Sequence, residues 1–257
     1  MFFMVFVWMS LGIMPVLAQT NITDSQGRKQ GKWIQFKDGV KFYEGNFVDD
    51  KPQGQFQRFY KSGRIMSKSE YSAHGSRCFN EFFYDERKST LKAKGLYINQ
   101  VKDSLWLMYN EEGIKIAEEN YKLGVADGLW KIYSFENVLV RETPYKQGKI
   151  DGAQKEYFAD GTTKRLMNFS SDTLNGEFKV YFPNQSLRID GLFQNGIQTG
   201  DWKYFNEDGS LMFTEYYVEG IMTKRLDAAG KPFEIIETVD TVKLNIDPEN
   251  YEELKID

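Results

Sequence analysis

One period constrains this chain more than any other feature. In Gly128-Leu129-Trp130-Lys131-Ile132-Tyr133 a small residue is followed two positions on by an aromatic ring and three further on by another, and the pattern returns upstream and downstream. The small position falls at Gly31, Gly54, Arg77, Ser104, Gly128, Gly152, Gly176 and Gly200. The first ring position falls at Trp33, Phe56, Phe79, Trp106, Trp130, Gln154, Phe178 and Trp202, and the second at Phe36, Phe59, Phe82, Tyr109, Tyr133, Tyr157, Tyr181 and Phe205. A third column closes each unit with Phe47, Tyr71, Tyr97, Tyr121, Tyr145, Phe169, Phe193 and Tyr217, at steps of 24 residues apart from one step of 26. Self-similarity of this kind marks an array in which each unit contacts only its neighbours.

The runs inside each unit are rich in aromatic and β-branched residues and carry no i, i+3, i+4, i+7 stripe, so they read as strands. Turns such as Lys37-Asp38-Gly39, Lys61-Ser62-Gly63, Glu111-Glu112-Gly113, Ala159-Asp160-Gly161 and Glu207-Asp208-Gly209 place glycine where a hairpin needs positive φ. Each unit is then a β-hairpin, and the fold class is all-β: an elongated antiparallel meander of about eight hairpins and about 16 strands. Alternation puts Trp130 and Ile132 on one face and Lys131 and Tyr133 on the other. The first ring column thus forms a row along one face, each ring expected to stack on its equivalent in the next unit. Units three and four are the least regular, and the insertion near 85–91 predicts a longer loop. Glu44, Glu70, Glu119, Glu142 and Glu215 recur just before the closing ring, which suggests cross-strand pairing with Lys or Arg.

The array spans residues 31–226. Before it, residues 19–30 form a polar, turn-rich lead-in, and residues 1–18 are almost wholly apolar and end Val16-Leu17-Ala18, which reads as a cleaved secretory signal. No Lys or Arg precedes Arg28, so the usual basic leader is missing. The rival is a retained N-terminal anchor, for which an apolar run interrupted by Pro15 is short. Export to the periplasm or outside the cell is the expectation. After the array, residues 227–257 hold nine acidic and three basic residues and read as a short β cap followed by an acidic tail.

A formal net charge of −4 supplies no electrostatic footprint for nucleic acid and predicts no strong binding to a membrane surface. With one histidine, His74, and one cysteine, Cys78, the chain lacks the means for a His-rich metal site, a thiolate cluster or a disulfide. His74 reads as a loop residue and Cys78 as a small buried filler. No catalytic, cofactor or metal residues are expected. The chemistry on offer is the ring row itself, with Trp33, Phe56, Trp106, Trp130, Phe178 and Trp202 as core or as a surface that stacks on sugars or grips an extended peptide.

Gly-x-Trp-x-x-Tyr/Phe, followed by Asp-Gly and a closing Tyr/Phe, resembles the MORN repeat in its shorter-loop bacterial variant, with Arg77, Ser104 and Gln154 as departures. The resemblance implies hairpins laid side by side and non-catalytic roles in scaffolding or in protein and lipid contact. Some bacterial members are labelled antitoxins. Three functions follow as expectations: an exported binding or scaffold module for a protein, peptide or glycan, an antitoxin-like inhibitor of one dedicated partner, or a carbohydrate-active enzyme with two carboxylates beside the rings.

Overall fold

The computed structural model describes residues 19–72 and 75–232, so the apolar opening, His74 and the chain beyond Pro232, including most of the expected cap, lie outside the described residues. What is described is all strand and turn. Twenty strands, from β1 (Ile22–Thr23) to β20 (Ile221–Asp227), form one open antiparallel meander. The increase over the expected 16 comes from β1, from β20, and from two first strands that each split into a short and a long piece, at Val125–Ala126 with Gly128–Tyr133 and at Lys149–Ile150 with Gly152–Tyr157.

The sheet has a ring face and a back face. Across the ring face the pairing runs Trp33–Gly45–Phe56–Ser69–Asn80–Gly95. Further along it runs through Trp106–Glu119, Trp130–Thr143, Gln154–Met167–Phe178–Gly191 and Trp202–Glu215–Arg225. A single sheet has no second layer to cover its rings, so each must lie flat over the neighbouring strand. Glycine makes that possible at Phe56, Trp106 and Trp202. A Cβ on Gly45 would sit 2.0 Å from the Phe56 ring, on Gly95 2.3 Å from Trp106, and on Gly191 2.4 Å from Trp202.

Pairing breaks register beside Gly95 and Gly191, which frees a nearby carbonyl from the ladder. The indole takes it up: Trp106 Nε1 donates to Leu96 O at 3.1 Å and Trp202 Nε1 to Leu192 O at 3.3 Å. Trp130 repeats the bond to Asn120 O at 2.8 Å. One side chain thereby covers apolar surface and satisfies a backbone group.

The third unit corrects the sequence register by one residue. Cys78, not Arg77, pairs with a closing ring (Tyr97) as Gly54 pairs with Tyr71. Asn80, not Phe79, occupies the row and is 6 % exposed, whereas Phe79 faces the other way at 46 %. Phe83, not Phe82, follows the bulge as Phe59 does. Asn80 is satisfied in place, accepting from Ser69 Oγ at 2.5 Å and donating to the Cys78 carbonyl at 3.1 Å. Cys78 is buried, as expected. The predicted longer loop is present: Tyr84 N bonds Thr90 O, six residues on, where six other hairpins close over four and the first turns through Asp38-Gly39 alone.

One rim is stitched. There, inter-unit turns donate a backbone N–H to the strand start of the unit before: Gly124 to Lys102 O, Gly148 to Ala126 O, Asp172 to Ile150 O, Gly196 to Leu174 O and Gly220 to Gln198 O. Asp103, Asp127 and Asp151, each three residues before the row position, accept the N–H of Leu123, Gln147 and Ser171. Those three turn residues have φ of 51°, 53° and 49°, so the carboxylates hold backbone that L-residues seldom adopt. The Leu123 N–H accordingly keeps the Asp103 carboxyl below the usual range. The lead-in is an N-terminal edge guard rather than a loop: β1 pairs with β2 (Lys29–Lys37), and the Asn21 amide bonds both the N–H and the C=O of Ile34. At the other end β20 adds a ninth first strand on which Arg225 replaces the row ring and pairs with Glu215.

Two glycines separate the forces. Gly191→Ala drives a methyl into a buried indole and should cost roughly 1–3 kcal/mol. Gly161→Ala meets no atom within 4 Å, so only its φ of 82° opposes it, at roughly 1 kcal/mol. Urea unfolding of both variants checks this, and a neutral Gly191→Ala would contradict the packing described.

Candidate binding surface

The six sequence candidates all lie on the ring face but differ in cover. Trp106, Phe178 and Trp202 are each 1 % exposed and Phe56 is buried too, while Trp33 and Trp130 are half-buried. They are not simply stacked equivalent on equivalent. Phe178 and Trp202 do meet, at 5.4 Å between centroids, but most contacts run through the closing rings, as in Phe178–Phe193–Trp202–Tyr217 and Tyr121–Trp130–Tyr145. Edge-to-face contacts prevail because successive closing rings project between successive row rings. The rings reach a local core at either end, around Tyr43, Phe47 and Phe56 and around Met167, Phe178 and Trp202.

Ionisable groups on this face sit inside the aromatic layer. Lys102 Nζ lies 4.8 Å over the Trp106 ring and 3.2 Å from Glu119 Oε2, which also accepts from Tyr121 OH at 2.8 Å. Glu215, 4 % exposed, accepts from Tyr204 OH and Tyr217 OH, both at 2.9 Å, and from Arg225. The five recurrent glutamates therefore do not share one position. Glu119 and Glu215 face the rings, whereas Glu44, Glu70 and Glu142 lie on the back face, where Glu142 pairs with Lys131 at 3.3 Å. Among the described residues no group of three His, Cys, Asp or Glu is placed to hold a metal ion.

The back face carries what the sequence reading did not single out. One row runs Lys68–Glu81–Lys94–Leu107–Glu118–Lys131–Glu142, alternating in sign on either side of Leu107. Beside it Phe79, Leu105 and Leu129 are 46 %, 44 % and 38 % exposed. A shallow cleft of about 310 Å³ opens at its N-terminal end, lined by Gln57, Lys68, Glu70, Phe79 and Glu81 among others. The available signal was the residue preceding each row ring, which alternation sends to the opposite face. Large apolar side chains left in water on a regular sheet mark an interaction surface more readily than a core.

Burial pushes the hydroxyls of Tyr71, Tyr157 and Tyr217 up to about 12, with the Glu142 and Glu215 carboxylates adding to the rise at the last two. Tyr121 and Tyr204 move in the same direction for the same reasons. A raised phenol favours the protonated folded state, so this stabilisation is full below the unfolded value of about 10 and is lost as pH rises towards 12. Thermal midpoints measured from pH 9 to 12 should fall steadily, and Tyr121→Phe should flatten the slope. A flat wild-type profile would contradict these environments.

A search of curated proteins finds no significant match. Residues 198–219, which comprise most of the eighth hairpin with its Trp202, Asp208-Gly209 turn and closing Tyr217, match the family model described as MORN repeat variant.

Proposed function

We propose that this chain is a non-catalytic, exported binding or scaffold module that engages a protein or peptide through its back face. The observation that carries the reading is the exposed row of Phe79, Leu105 and Leu129 beside a ladder of alternating charge. The rings that would otherwise grip a ligand are largely consumed in burying one another, which favours the back face over the ring face and a polypeptide over a sugar. The repeat match at 198–219 supports a binding module in general terms. Export is supported by the apolar opening and its Val16-Leu17-Ala18 end. An antitoxin-like inhibitor would use the same surface on one dedicated partner.

A photo-crosslinking residue at Leu129 on the back face, compared with one at Arg58 on the ring face, tests the assignment in the native compartment. The expected outcome is a discrete protein adduct from Leu129 and none from Arg58. Adducts confined to Arg58 would reverse the faces.

A further inference from the structure

We infer that the back face is self-complementary and that a second copy of this chain occupies it, strand β8 (Val101–Tyr109) lying on a two-fold axis. This inference rests on the reading that the back face is the binding face. Its basis is the order of charges in the ladder. Two sheets pack face to face with their strands roughly aligned, about 10 Å apart. A symmetric pair of this kind has its axis in the plane between them, so an axis parallel to β8 sets each strand opposite its mirror position counted from β8.

Leu107 then faces Leu107 of the second copy. One strand out, Lys94 on β7 (Leu91–Ile98) faces Glu118 of the second copy, on β9 (Lys115–Lys122). Two strands out, Glu81 on β6 (Arg77–Phe83) faces Lys131 of the second copy, on β11 (Gly128–Tyr133). Three strands out, Lys68 faces Glu142 of the second copy. Within three strands of the axis every charge meets its opposite, and four strands out Lys155 faces the neutral Gln57 of the second copy. The neighbouring apolar row agrees, with Leu105 on itself and Phe79 against Leu129 of the second copy. The ladder also selects this axis over its neighbours. Moved half a strand toward β7, the axis would set Glu81 against Glu118 and Lys68 against Lys131; moved half a strand toward β9, it would set Lys94 against Lys131 and Glu81 against Glu142. Complementarity repeated on both sides of an axis is what an isologous interface requires, and like charges face to face oppose the alternatives.

Sedimentation equilibrium of the exported chain over a range of concentrations tests this. The expected result is a dimer at tens of micromolar. Glu81→Lys turns two symmetry-related pairs repulsive and should weaken self-association roughly tenfold or more. Adding Lys131→Glu to it should restore the dimer, a rescue that a merely structural role for either residue would not give. Leu107→Cys adds a thiol on the axis to a chain whose own Cys78 is buried, and a short bis-maleimide should link two copies through it but not through Lys203→Cys. A monomer at every concentration, or a dimer indifferent to Glu81→Lys, would overturn the proposal. In the monomer case, a crosslinked foreign protein at Leu129 would leave the binding face standing, and adducts confined to Arg58 would remove both.

Discussion

A ring laid flat over the neighbouring strand is the interaction on which the rest of this structure depends. An ordinary sheet buries its apolar face against a second layer, and this one has no such layer. Its cover must come from within the plane, from side chains long enough to reach the adjoining strand and flat enough to lie on it. At Phe56, Trp106 and Trp202 the strand beneath presents almost nothing, which is the role of Gly45, Gly95 and Gly191. The indole N–H extends the arrangement by closing a carbonyl that a bulge has taken out of the ladder. Where a ring is missing, as at Asn80 and Gln154, the position is still buried, and at Asn80 the amide is satisfied by side chain and backbone within the same face.

Limiting the cover of the ring face to one unit's reach has two consequences. The stitched rim must keep the units in register, and it does so through turn N–H groups given to the preceding unit and through the Asp103, Asp127 and Asp151 carboxylates. The back face, in turn, carries little of the core. Its side chains are free to be charged in alternation and, around the middle of the array, apolar. The back face contributes to the fold through pairs such as Tyr133 with Glu118 and Tyr157 with Glu142, and its charge pattern, kept over seven neighbouring strands, makes it the part of the molecule where function is best sought.

The sequence made the architecture legible because the period is written in large residues. The meander, the glycine turns and the longer loop near 85–91 all follow from it. The register of the third unit did not, because Phe79, Phe82 and Phe83 offer rings in either frame. Cys78 lies 24 residues after Gly54 and 26 before Ser104, the two step lengths of the closing column, whereas Arg77 gives 23 and 27. The mutual contacts of row and closing rings were hidden because alternation gives the face of a side chain and not its lean. The candidate surface was missed for a simpler reason. Attention to the rings passed over the residues one step before them, and Leu105, Leu129 and Phe79 each look unremarkable until pairing sets them side by side.

Apolar stabilisation here is local, each ring depending on the adjoining unit and not on the array at large. Double-mutant cycles on Trp202 test it most directly. Coupling of Trp202→Ala with Phe178→Ala should be about 0.5 kcal/mol or more, since the rings touch, and coupling with Phe56→Ala should be indistinguishable from zero. Comparable coupling to the distant Phe56 would mean that the molecule has a shared core, and the account would fail.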